Sequence, residues 1–102
     1  MIHVFITYKL RNGASRERYR QWSREVDQVV LIQQPGVIGY TVFEVVGTAV
    51  GEPSCDFVED IEVESREAWE KVNDYPDMQP VVKQWLEFCD PDSVRVVYGA
   101  TV

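Results

Sequence analysis

Residues 55–63 read CDFVEDIEV, and they decide the fold. Cys55, Phe57, Ile61 and Val63 share one parity with Glu59, while the other parity is mostly acidic. Strict alternation over this length is the signature of a strand with one face turned to a core. Glu59 is then a carboxylate on a face that should be apolar. It either pairs with a cation, lies half exposed at a sheet margin, or sits in a pocket where desolvation raises its pKa for acid/base work.

Working outward, Val37–Val46 (VIGYTVFEVV) is strongly β-forming and is joined to this strand by Gly47–Ser54, a stretch with two glycines and a proline. The two strands should form an antiparallel pair. Ile2–Tyr8 alternates as well, with Ile2, Val4, Ile6 and Tyr8 on one face and His3, Phe5 and Thr7 on the other. Val94–Gly99 (VRVVYG) reads as the last strand.

Helical periodicity fills the gaps. Asn12-Gly13 marks a turn, Ser15 is a candidate N-cap, and Tyr19, Trp22, Val26, Val29 and Val30 recur by threes and fours, which predicts a buried face. Ser23 and Asp27 fall on the flank of that face. Pro35-Gly36 should end the helix. A second helical region opens at Ser65, carries Ala68, Trp69 and Val72, breaks near Pro76, and resumes from about Met78 to Cys89 with Met78, Val81, Val82, Trp85, Phe88 and Cys89 inward. Pro80 is tolerated there because it lies in the first turn.

The order β-α-β-β-α-β over residues 1–102 predicts one α+β domain of ferredoxin-like type, an antiparallel sheet with the first and third strands central and the helices on one face. Strands one, two and four carry apolar residues on both parities, as in Phe5 against Ile6 and Val96 against Val97. With helices for only one face, the other is expected to be covered by an identical subunit, giving a homodimer built as an α/β barrel.

A net charge of −7 disfavours nucleic-acid and anionic-membrane partners. The N-terminus has neither a basic n-region nor a spanning apolar run, so a cytoplasmic location is expected. Cys55 and Cys89 form no CxxC or histidine cluster and are read as buried thiols. Glycine-rich phosphate loops, GxSxG and HExxH are absent, so neither a cofactor nor a metal is expected.

The chain resembles the dimeric α/β-barrel superfamily, and within it the RedY-like or HapK family of prodiginine-type biosynthesis. The resemblance rests on Y19-x-x-W22-x-R24-E25-V26-D27, P35-G-V-I-G-Y40, D56-F-V-E59-D-I-E-V63, and M78-Q79 through F88-C-D90. It implies a small aromatic heterocyclic ligand, of pyrrole or indole type, and a cofactor-free condensation, cyclisation or tailoring step. Two alternatives stay open: a cofactor-independent monooxygenase of the same superfamily, and a non-catalytic subunit that holds a reactive intermediate.

Candidate site residues follow. Glu59 and His3, the only histidine, lie on strands expected to be neighbours, and a carboxylate beside an imidazole is a minimal proton-transfer device. Asp27 can accept a ligand N–H or pair with Arg24. Trp22 and Tyr40, with Tyr19, Trp69 and Trp85, can line a flat pocket or simply fill the core.

Overall fold

The computed structural model describes residues 1–102. Strands β1 (Ile2–Tyr8), β2 (Val37–Glu44), β3 (Phe57–Val63) and β4 (Arg95–Ala100) form one antiparallel sheet in the order β2-β3-β1-β4. The first and third strands are central, as the alternation requires. Strands β1 and β2 are connected by α1 (Arg16–Trp22), a π-helical turn at Ser23–Asp27 and α2 (Gln28–Leu31) in one continuous helical path. Helices α3 (Arg66–Val72) and α4 (Gln79–Phe88) follow β3. The chain has the ferredoxin-like α+β fold.

Local chemistry sets the helix starts. The Ser15 hydroxyl accepts from the Arg18 amide, and the Ser65 hydroxyl accepts from the Ala68 amide, so each cap satisfies a donor that the first turn leaves free. The first helical path ends at Leu31, earlier than the Pro35-Gly36 expected to stop it, and Gly36 at φ 83° turns the chain into β2. A Cβ there would lie 2.6 Å from the Ala68 Cβ, so this turn needs glycine for both backbone and space.

The core lies between sheet and helices. Val4, Ile6 and Tyr8 of β1 and Phe57, Ile61 and Val63 of β3 meet Tyr19, Leu31, Val72, Met78, Val81 and Cys89. Each of these is withdrawn from water, and apolar area of this kind is worth about 25 cal/mol per Å² buried. Cys55, expected to be buried, is only half-buried just before β3 begins, whereas Cys89 is fully buried.

The first helical path also departs from the expected face. Its buried residues are Tyr19, Ser23, Asp27 and Leu31, spaced by fours, while Val29 stands exposed. The cause is the π turn. The Gln28 amide reaches back to the Ser23 carbonyl, one residue further than in an α-helix, and the wider turn brings i, i+4 positions into line. Two polar residues read as flanking thereby move to the centre of the inward face.

Candidate functional site

Between the π turn, β1, β3, α3 and α4 lies a pocket of about 460 Å³, counted to its open mouth. Its walls are Ile6, Leu31, Met78, Val81, Val82, Trp69 and Trp85, with Asn73 exposed; the acidic groups reaching it are Asp27 and Glu59.

Both acids are buried, each 5% exposed, and each is held by a tyrosine. Tyr8 donates its hydroxyl proton to Glu59 Oε2 at 2.7 Å, and Tyr40 donates to Asp27 Oδ2 at 2.6 Å. The Ser23 hydroxyl lies 3.4 Å from the same Asp27 oxygen. Behind Tyr8 its hydroxyl bonds to that of Tyr19, which also accepts the Trp85 indole N–H at 3.1 Å. Glu59 Oε1 and Asp27 Oδ1 make none of these bonds, although the Tyr40 hydroxyl also lies close enough to Glu59 to favour its charged form, and no fully buried side-chain N or O atom lacks a partner. Both free oxygens therefore keep accessible surface, and the pocket is the space their residues line.

The environment retunes the two acids. Burial first, then the Asp27 charge, pushes the Glu59 carboxyl up to about 8, while the Tyr8 and Tyr40 hydroxyls pull it the other way. Burial likewise raises Asp27 to about 6 against the hydrogen bonds from Tyr40 and Ser23. Two interacting carboxyls titrate as a pair, so these values belong to the couple. Near neutrality the pair holds about one proton, the condition for one group to donate while the other accepts. Burial and the nearby carboxylates also push the Tyr8, Tyr19 and Tyr40 phenols upward, so they act as neutral donors.

The sequence matches the family described as REDY-like protein HapK over residues 2–102. The chain belongs to this REDY-like HapK family. Among curated proteins no relative matches it. Its fold is similar to that of HapK from Hahella chejuensis (TM-score 0.81, 15% identity, 100% of this chain and 93% of that one). It is similar also to a dimeric ferredoxin-like protein from Thermobifida fusca (TM-score 0.75, 14% identity, 98% and 90%). A third similar structure is SnoaB, a cofactor-independent oxygenase from Streptomyces nogalater (TM-score 0.76, 8% identity, 99% and 92%). At these identities the likeness establishes the fold.

In this HapK-family chain Glu59 faces the helices and the pocket. His3 does not join it. The residue sits on the opposite face of β1, where its Nδ1 meets Asp60 Oδ1 at 2.7 Å and its ring stacks on Phe5. The dyad expected from strand adjacency is thus divided by the sheet itself, because side chains alternate faces and Glu59 shares the face of Ile6 and Tyr8.

Trp22 also departs from expectation. It packs on Tyr19 and Phe88 and donates its indole N–H to Gln84 Oε1 at 2.7 Å, outside the pocket wall. Tyr40 and Tyr19 act behind the carboxyls rather than as walls, and Trp85 and Trp69 supply the aromatic surface. Asp27 pairs with Tyr40, not Arg24. Tyr8 joins the site without having been among the candidates, although its parity already places it on the face of Glu59. No cluster of three or more His, Cys, Asp or Glu side chains is placed to hold a metal ion, and no helix is long and apolar enough to cross a membrane.

Proposed function

We propose that this small HapK-family protein binds a flat aromatic heterocycle of pyrrole or indole type in the Trp69–Trp85 pocket. The reaction is a cofactor-free condensation, cyclisation or related tailoring step driven by proton transfer. One observation carries the proposal: two carboxyls with raised pKa values line one largely apolar pocket, each with one oxygen outside the tyrosine bond that holds the other. Asp27, the stronger acid of the couple, takes a proton from the ligand. Glu59, the weaker acid, delivers one where negative charge develops, and solvent exchange restores the pair. Tyr40 and Tyr8 fix the two carboxyl planes. Family membership supports the heterocyclic ligand class.

The test uses a pyrrolyl or indolyl ketone in D2O, following exchange of its α-hydrogens by NMR. Glu59→Gln should slow exchange by about 10²–10⁴-fold, the usual worth of a positioned acid or base, with far-UV circular dichroism unchanged. Exchange at the wild-type rate in that variant overturns the mechanism. Binding without any exchange, seen as quenching of Trp69 and Trp85 fluorescence, would instead favour a holding subunit. Oxygen consumption with a phenolic or pyrrolic ligand would favour the oxygenase chemistry named for SnoaB.

We further propose that a second copy of the chain covers the free face of the sheet and completes the α/β barrel. That face carries Phe5, Phe43, Val58 and Val97 with no helix over it, and Phe43 and Val97 are 53% and 60% exposed. Apolar surface of this continuity is costly to leave in water. The dimeric relative from Thermobifida fusca supports the same arrangement.

A further inference from the structure

We infer that Trp85, acting through Tyr19 and Tyr8, is a positioning residue that keeps the Glu59 proton on Oε1, the oxygen that opens to the pocket. The inference deepens the proton-transfer reading above and rests on it for its functional meaning, but its test needs no substrate.

Donor supply sets the direction of the row. An indole N–H can only donate. The Tyr19 hydroxyl has two partners, the Trp85 N–H and the Tyr8 hydroxyl. Because the Trp85 side is already occupied by a donor, the Tyr19 proton points at the Tyr8 oxygen, with which it makes a short bond, rather than at the weakly accepting Cys89 sulfur. Tyr8 accepts there, so its own proton goes to Glu59 Oε2. The opposite direction would leave the Tyr19 proton only the neighbouring Cys89 sulfur, a weak acceptor, in place of a hydroxyl oxygen, which is the less favourable state. Oε2 is therefore always an acceptor, whether or not Glu59 is charged. When Glu59 carries a proton, that proton sits on Oε1, where a ligand can reach it.

Each bond in such a row polarises the next, so the row also favours the charged carboxylate. Other groups face Glu59 as well: Asp27 from the π turn, Tyr8 from β1, Tyr40 from β2, and Tyr19 and Cys89 from α1 and the end of α4. Each has its charge or hydroxyl coupled to the Glu59 environment. None of them except Tyr19 and Tyr8 depends on the Trp85 N–H.

The experiment follows the Glu59 carboxyl by ¹³C NMR in the ligand-free protein, with Glu59→Gln to assign the resonance. Trp85→Phe should raise the Glu59 midpoint by roughly 0.3–0.5 pH unit, the scale of weakening one charged hydrogen bond by a fraction of its strength. Tyr19→Phe, which keeps the ring and removes only the hydroxyl, should raise it in the same direction. The double variant should move no further than Tyr19→Phe alone. A purely structural role predicts the reverse sign, since water entering the gap left by the smaller ring would ease desolvation and lower the midpoint. An unchanged or lowered midpoint in Trp85→Phe, or additive shifts in the double variant, overturns the inference. If Trp85→Phe does not fold, the Tyr19→Phe midpoint alone decides, with a rise sustaining the row and no change refuting it. Loss of ketone exchange with an intact midpoint pattern would instead count against the proposed function alone.

Discussion

Tyr40 of β2 and Asp27 of the π turn are joined by a 2.6 Å hydrogen bond that spans the gap between sheet and helix. It is the counterpart of the Tyr8–Glu59 bond inside the same layer. Removing it with Tyr40→Phe leaves a buried carboxyl with only the distant Ser23 hydroxyl. The Asp27 midpoint should rise above about 6, and the protein should lose about 1–3 kcal/mol at neutral pH, the cost of depriving a buried charged group of a donor. Urea denaturation at pH 7 measures the loss. The loss should shrink at pH 5, where Asp27 is protonated and needs the donor less.

Both acids bind protons more tightly in the folded chain than in the unfolded one, where they titrate near 4.5 and 3.8. The folded state therefore gains protons on folding, and stability from these groups is full below the unfolded values and lost as pH rises. For Asp27 the loss runs from about 3.8 to about 6, and for Glu59 from about 4.5 to about 8. Thermal unfolding should show stability from these groups declining across that window, by an amount on the order of a few kcal/mol. Glu59→Gln should flatten the upper part of the decline. A variant curve parallel to wild type between pH 6 and 8 would contradict the assignment.

Activity should follow a bell between the two midpoints, highest where one proton is shared and falling when both acids are charged or both neutral. A rate–pH profile of ketone exchange with limbs near about 6 and about 8 is expected. Because the couple titrates jointly, Asp27→Asn should shift the remaining limb downward, since the Asp27 charge is one cause of the high Glu59 value.

At the turn into β2, Gly36→Ala should destabilise the fold by more than about 1 kcal/mol. The new Cβ meets Ala68 at 2.6 Å and also must adopt φ 83°. Adding Ala68→Gly should restore only part of the loss, because it opens space without relieving the backbone. Full rescue in the double variant would show that crowding alone had set the cost.

On the free face, Phe43→Glu should convert a dimer to a monomer in light scattering at micromolar concentration. Phe43 is exposed opposite Val58, so a charge there has no effect on the core of the single chain. A wild-type protein that is already monomeric under those conditions would remove the barrel.

Much of this architecture was legible in the alternation of β3 and β1, because a period of two leaves little freedom about which residues face the core. The same logic could have separated His3 from Glu59. Val4, Ile6 and Tyr8 must share the core side with Phe57, Ile61 and Val63, which puts His3 with Phe5 and Thr7 on the other side. Adjacency of two strands brings side chains together only where their faces match, and here they do not. The placement of Ser23 and Asp27 was not legible in the same way. A wheel drawn at 3.6 residues per turn sets them on the flank, and nothing in SREVD announces a wider turn. Trp22, which could line a pocket or fill the core on its spacing alone, takes the second place, packed on Tyr19 and Phe88.

The π turn at Ser23–Asp27 makes the site separable from the scaffold by one codon. Its wider turn is the natural outcome of inserting a single residue into an α-helix, and each residue rotates the helix by roughly 100°. Deleting one residue within the turn would let α1 run into α2 at ordinary pitch and swing Tyr19 and Ser23 away from their alignment with Asp27, leaving the sheet untouched. On this fold, then, the second carboxyl of the pocket can be brought to Glu59 or taken from it by inserting or deleting a single residue, while Glu59 and Tyr8 stay on their strands.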